Sequence, residues 1–560
     1  MKMVKSLLLG SAAGLVAVGG AQAADLPVKA KPVEYVKICT LYGEGFYYIP
    51  GSDTCIKLGG YVRADYGWNV AGARTPAYSG TQGAQDRTVS QYSTRHRANL
   101  QIDTRTQTEY GTLRTFTSLH FQNEDGVFSQ NAARAFIQWA GFTFGHAQSF
   151  QDTWGITDSW HYAQQQNNSD TGANGVNQIA YTWELGNGAT LTVGADEVRR
   201  KPIINLSNLA SIGVGREALS SAAGQRWPDP HVDFKINQAW GYWATSFVAH
   251  DVSATYYACT GQAVSNSAVV TTCGHPDDKV GWAIQTGAEF KMDFITPGDR
   301  FGFGARYAEG ASGFGAGSNL NSAGLFGSGN VVAVGFGSDA VFTGGTAGGG
   351  GPLPACAGAL PPIGTAGVTC NASQLQLTTT WTVGAAYEHY WTPNFKSAIS
   401  GAYTSVEYNN AAKAMFAQNV CAPTTLSGAV MVGGGQGQFN GGNTGGTGAS
   451  TGVPLNTPGA PLSIAGNCDP DWGFFQGGVR TQWNVSRGFI LGVDVFYTRV
   501  FTAFKGTQAN LQGAAFGASS GNANVVEPVV GARPNGIYTL KDLGTVGAVF
   551  RAQRNFNAGD

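Results

Sequence analysis

Residues 92–122 read YSTRHRANLQIDTRTQTEYGTLRTFTSLHFQ, and the alternation in this stretch decides the fold class. Ser93, Arg95, Arg97, Asn99, Gln101, Asp103 and Arg105 share one parity. Tyr92, Thr94, His96, Ala98, Leu100, Ile102 and Thr104 share the other. The chain turns around Tyr110 and Gly111. It then sets Leu113, Thr115, Thr117, Leu119 and Phe121 against Arg114, Phe116, Ser118, His120 and Gln122. Successive side chains of a strand point to opposite faces. The hairpin therefore has one apolar wall and one arginine-bearing wall. A soluble sheet shows the same alternation when its apolar face lies on a core. How often the pattern recurs, and what precedes it, separates core from lipid.

The 560 residues carry a formal net charge of −1, only 12% charged residues and 81 glycines. This charge balance excludes a strongly basic nucleic-acid binder. Mean hydropathy is close to neutral, as expected where half of every membrane strand is polar. Residues 1–23 read as a secretory signal. Lys2 and Lys5 give the basic start, Leu7 to Val18 the apolar stretch, and Ala21 to Ala23 a small-residue cleavage site. That apolar run falls short of the ~20 residues a helical span needs, and no later run approaches it. An exported chain of this kind enters a membrane through strands. Residues 24–55 are expected to form a periplasmic N-terminal segment, and residues 56–560 a transmembrane barrel with extracellular loops.

Residues 35–51 read YVKICTLYGEGFYYIPG, followed by DTC at 53–55 and GGYVR at 59–63. This block resembles the start of the alphaproteobacterial (rhizobial-type) porins. The resemblance implies a trimeric general porin of the bacterial outer membrane, an all-β, sixteen-stranded antiparallel barrel constricted by its third loop. Its partners would be outer-membrane lipid, two further copies of the chain, and small hydrophilic solutes and ions. No cofactor and no nucleic acid is implied.

The residues themselves give sixteen strands. The first eight are placed near 56–69, 91–108, 110–122, 132–139, 141–148, 177–186, 189–197 and 230–237. The second eight fall near 240–252, 279–293, 300–309, 375–391, 395–409, 471–485, 488–503 and 536–556. Connections alternate between short and extended, with the extended ones at 70–90, 123–131, 149–176, 198–229, 253–278, 310–374, 410–470 and 504–535. Short periplasmic turns and long outer loops produce this alternation, whereas a β-sandwich or solenoid gives no reason for it. Trp68, Trp139, Trp183, Trp240, Tyr390, Trp391, Trp472, Trp483 and Tyr497 sit near strand ends, as an interfacial girdle requires. Glycine runs in 310–374 and 410–470 read as surface-loop composition.

The strand map groups the eight cysteines into four local disulfides: Cys39–Cys55, Cys259–Cys273, Cys356–Cys370 and Cys421–Cys468. Such bridges suit an exported protein, and the absence of a Cys-x-x-Cys pair argues against zinc. A closed sixteen-stranded barrel with ~4.8 Å strand spacing and ~40° tilt has a backbone radius of about 16 Å, too wide for side chains to fill. The third extended connection, Ser149 to Val176, is expected to fold inward. It carries Asp152, Asp158 and Asp170 and no lysine or arginine. Opposite it the strand pairing places Arg63 beside Arg97, Asp65 beside Arg95, and Arg105 beside Arg114, with Arg134 on the fourth strand. Carboxylates facing this basic row would set a field across the narrowest section. Among rival functions, a barrel enzyme is disfavoured. The eight histidines are scattered, and the two Gly-x-Ser-x-Gly strings at 448–452 and 517–521 lack the strand-to-helix turn that exposes a nucleophile. A substrate-specific channel, or an adhesin using the sixth and seventh loops, is the alternative.

Overall fold

A computed structural model describes residues 37–71, 75–76, 91–154, 160–162, 175–206, 221–257, 275–316, 324–328, 330–344, 373–417, 467–511 and 536–556. Sixteen strands close on themselves. The first four are β1 (Cys55–Trp68), β2 (Tyr92–Thr108), β3 (Gly111–Glu124) and β4 (Val127–Trp139). Next come β5 (Phe142–Ala147), β6 (Val176–Gly186), β7 (Ala189–Asp196) and β8 (Asp229–Gln238). Then follow β9 (Gly241–Val252), β10 (Lys279–Lys291), β11 (Arg300–Glu309) and β12 (Gln376–Thr392). The last four are β13 (Phe395–Tyr408), β14 (Trp472–Ser486), β15 (Phe489–Phe501) and β16 (Leu543–Phe556). Each pairs antiparallel with its neighbours in sequence, and β1 closes on β16 with Tyr66 opposite Phe550. The register between β1 and β2 is the expected one: Arg63 faces Arg97 and Asp65 faces Arg95.

Closure leaves no unpaired edge, which a lipid-exposed sheet requires. The outer parity is apolar: Val62, Val280 and Ile399 are 58%, 61% and 60% exposed. In a chain without its membrane, exposed aliphatic residues in a continuous band mark the lipid-facing surface. Trp68, Trp139, Trp183, Trp240, Trp391, Trp483 and Tyr497 are all exposed at strand ends. Two members of the expected girdle are elsewhere. Trp472 is buried, donating its indole N–H to the carbonyl of Phe336 at 3.0 Å. Tyr390 faces the lumen, where its hydroxyl bonds Lys396 at 3.2 Å.

The second outer connection also differs from its sequence reading. Strands β3 and β4 run on to a tight turn in which Asp125 and Gly126 have φ of 49° and 87°. Asp-Gly with two positive φ values is the favoured two-residue hairpin turn, so 123–131 is mostly ladder. A bulge between Ser118 and Leu119 of β3 makes Ala133 the extra residue of β4. Ala133 is therefore buried instead of facing lipid, while Ala135 and Ile137 keep the outward parity. The last expected strand is broken. Residues 536–540 pair with 508–511 in a small separate sheet, and the barrel strand begins at Leu543.

Beneath the barrel, residues Tyr47–Tyr48 pair with the start of β1, and Cys39 is disulfide-bonded to Cys55 with Cα atoms 6.1 Å apart. Cys468 is also in a disulfide. Cys259, Cys273, Cys356, Cys370 and Cys421 lie outside the described residues, as does the signal sequence. The Cys39–Cys55 bond closes a loop of 16 residues that has only Phe46 and its neighbours as a core. Loop-closure entropy for that length is worth about 3 kcal/mol. Replacing both cysteines by serine is expected to leave the barrel heat-modifiable on gels. It should make residues 37–54 cleavable by trypsin under conditions where the oxidised protein is resistant.

A charge-lined lumen with an inserted loop

Inward positions of β1, β2, β3 and β16 carry the charges that the alternation predicts. Asp65 is the hub. Arg551 on β16 donates to it at 2.7 Å and Arg95 on β2 donates at 3.0 Å. All three are almost fully buried. One turn of pleat away, Arg63 donates to Gln553 at 2.6 Å and Arg97 to Gln122 at 2.9 Å. Asp103 holds Arg105 and Arg114, each at 2.9 Å. Arg114 also donates to Gln138 at 3.0 Å. A buried carboxylate paired to guanidinium is costly to isolate, so these groups are held as a network and do not act singly.

The third connection crosses this lumen. It leaves β5 tied to β7: Ser149 donates to Asp196 at 2.6 Å. Trp154 then lies across the opposite wall, above Gly287 of β10 and Gly302 of β11. A Cβ on Gly287 would sit 2.4 Å from the Trp154 Cβ, so the bare backbone there is what admits the indole. Arg306 donates to the Trp154 carbonyl at 3.2 Å. Trp160 packs with Ala386, Ala398 and Ala402 on β12 and β13, under the Arg300 guanidinium at 4.2 Å.

The loop finally reaches β15. Asp494 accepts the Tyr162 backbone N–H at 2.7 Å and pairs with His161 Nδ1 at 2.8 Å. Tyr162 donates its hydroxyl to Gln482 at 2.9 Å, and Arg551 stacks on its ring at 4.4 Å. Burial pushes the Tyr162 hydroxyl up to about 12 against the pull of Arg480 and Arg551, so it stays a neutral donor. The loop thus touches β10, β11, β12, β13, β14, β15 and β16 from within, an inward fold by direct contact.

Of the acidic residues expected on this loop, Asp152 sits within electrostatic reach of Arg134. Asp158 and Asp170 lie outside the described residues. Arg134 donates to the Ala133 carbonyl at 2.8 Å and lies beside Gly175, where the loop returns. The expected picture of acids facing bases across a gap therefore covers only part of the arrangement. A second charged wall was missed. Glu388 on β12 gathers Arg300 at 2.9 Å, Lys396 at 3.2 Å and Arg480, which is itself fully buried. The alternation of their strands carries the inward parity of Arg480 and Arg551, the signal that could have found them.

An apolar outside, a paired and charged inside, and a connection seated across the interior define an outer-membrane β-barrel with a narrowed lumen. The profile of the porin subfamily matches residues 25–523. The chain belongs to that family, the one to which residues 35–63 pointed. Porin Omp2b of Brucella suis is 38% identical over 205 residues, which make up 35% of this chain and 52% of that protein. Porin Omp2b of Brucella abortus (strain 2308) is 38% identical over 211 residues, 35% of this chain and 54% of that protein. The chain thus spans about half the length of the curated relatives it matches. The outer membrane channel DcaP of Acinetobacter baumannii superposes with a TM-score of 0.48 at 12% identity, over 91% of this chain and 99% of that one.

Removing the Asp65 carboxylate takes the shared partner from two buried guanidiniums. Asp65→Ala is expected to destabilise the folded barrel by about 3–5 kcal/mol. The shift of the unfolding midpoint in urea, read by loss of heat-modifiability, measures it. Asp65→Asn should recover only a minority of that loss.

Proposed function

We propose that the chain forms a water-filled channel for passive diffusion of small hydrophilic solutes and ions across the bacterial outer membrane. The observation that carries this reading is the third connection, pinned across a charged lumen by Asp196 at one end and Asp494 at the other. A closed barrel of this size needs either a plug or a constriction, and a loop lodged on one wall supplies a constriction. The constriction is assigned to Arg63, Arg95, Arg97, Arg114 and Arg134 with Asp152, Asp158 and Asp170. Within that set the roles divide. Asp65 is shared by Arg95 and Arg551, and Asp103 by Arg105 and Arg114, so each carboxylate offsets only part of the positive field of its two guanidiniums. Arg63 and Arg97 donate to the amide oxygens of Gln553 and Gln122, side by side on the same inner wall.

Arg63→Gln together with Arg97→Gln is therefore expected to move the reversal potential in a salt gradient toward cation selectivity. Arg114→Gln alone removes one positive charge in place of two and should move it less in the same direction. Planar-bilayer recordings check both, and an unchanged reversal potential in the double variant refutes the assignment.

The same reading makes the functional unit a homotrimer. Outward Ala64, Ala98 and Ala552, with Val62, His96 and Phe128, border a groove of 520 Å³ on the outer face of β1, β2 and β16. Small side chains there let a neighbouring barrel approach closely, and the groove removes apolar area from lipid on both copies. Chemical cross-linking in mild detergent is expected to give a ladder ending at three chains. Ala64→Trp with Ala98→Trp should collapse it to the single chain while the barrel still inserts.

A further inference from the structure

The sixth connection reads from its glycine content as a surface loop, yet its described part is one of the most buried portions of the chain. Residues 332–344 are buried without exception. Val332, Ala333, Val334, Phe336 and Val341 are at most 1% exposed. They form one apolar cluster with Tyr408 at the end of β13, Met415 and Phe416 of the seventh connection, Ala503 and Phe504 of the eighth, and Ile204 and Leu206 of the fourth. Ring centroids of Phe336, Phe416 and Phe504 lie about 6 Å apart in every pair.

What this cluster sits on fixes its place. Val406, Trp472, Phe474 and Val500 belong to the lumen-facing parity of β13, β14 and β15, the parity that also carries Lys396, Arg480 and Asp494. The preceding turn of helix, α1 (Ser312–Gly315), packs Phe314 on inward Val248, Ala283 and Ala308. Thr382 donates to the Gly315 carbonyl at 2.7 Å. Strand β12 descends from the extracellular rim at Gln376, so Thr382 lies above Ala386, on which Trp160 of the third connection rests. The fourth, sixth, seventh and eighth connections therefore fold into the mouth as a second layer, outside the third.

Directional bonds hold that layer. Residues 203–205 pair parallel with 340–342, and 331–332 pair parallel with 539–540. The Phe336 carbonyl accepts from Tyr408 at 2.7 Å and from Trp472 at 3.0 Å. Asp339 accepts from the backbone N–H of Ser312 at 2.8 Å and of Lys201 at 2.5 Å, and pairs with His250 at 3.3 Å. Loops that swing are poor in buried contacts and bonded backbone; this one is rich in both.

We propose that Val331–Phe342 is a fixed second sieve: it narrows the extracellular mouth and sets the size of hydrophilic solute that reaches the third connection. The inference rests on the channel reading above. It assigns size discrimination to the sixth connection and leaves charge discrimination with the arginines below.

The test is proteoliposome swelling with arabinose, sucrose, raffinose and stachyose. In a full-length variant with residues 330–343 replaced by a Gly-Ser linker, the raffinose-to-arabinose rate ratio is expected to rise at least threefold, with the reversal potential unchanged. If that variant does not yield a heat-modifiable barrel, Phe336→Ala and Asp339→Ala are read for the same ratio, each expected to raise it. A ratio equal to or below wild type in a folded variant overturns the proposal while leaving the channel reading intact. A wild-type protein that passes no sugar sinks the channel reading itself.

Discussion

The constraint on which the structure depends is that no backbone N–H or C=O can be left unpaired against lipid. An open sheet of fifteen or sixteen strands would leave one edge at each side in hydrocarbon, at several kcal/mol per group. The pairing of β1 with β16 removes both edges at once. That single ladder also brings residues almost 500 positions apart into contact. Asp65 meets Arg551 only because the barrel closes there, so the central ion cluster of the lumen is a product of closure. Its pairing with Arg95, by contrast, is local to one hairpin.

Closure creates a second problem that the rest of the chain answers. A ring of this circumference cannot be filled from its walls, and a charged wall without partners would be unstable in a narrow space. The wall charges therefore pair laterally, from strand to strand, as Glu388 does with Arg300, Lys396 and Arg480. Connections fold in to occupy the remaining section. Small inward residues mark where they rest: Gly287 and Gly302 beneath Trp154, Ala386, Ala398 and Ala402 beneath Trp160. Where polar wall meets polar loop, one carboxylate serves several donors, as Asp494 does for His161 and Tyr162.

These two demands differ in how plainly they are written in the sequence. Period-two alternation is a one-dimensional signal, so strand number, parity and the Arg63–Arg97 pairing were legible. The Asp125–Gly126 turn is a local signal as well, an Asp-Gly pair between two alternating runs. Ala133 and Trp472 escaped for a different reason. A bulge and a tertiary contact each override parity at one position, and neither has a local signature. The role of Arg551 depended on strand closure, and that of Arg480 on Glu388, a partner 92 residues away.

The sixth connection shows how composition misleads when it is averaged. Across 310–374 glycine dominates, and the average reads as exposed loop. Within it, residues 331–342 read VVAVGFGSDAVF, an apolar run with strand periodicity and a single carboxylate. A run of that kind exposed on a surface would invite aggregation, so it must be covered. The described structure covers it from inside, against the lumen parity of β13, β14 and β15 and the fourth, seventh and eighth connections. The glycines fit the same logic. Gly335 has the six-membered ring of Trp472 where its Cβ would be, at 2.1 Å, so any side chain there would push the run off the wall. Glycine within this segment is thus a condition for close packing, and the Asp339 carboxylate and the Phe336 carbonyl fasten the packed run to the barrel wall.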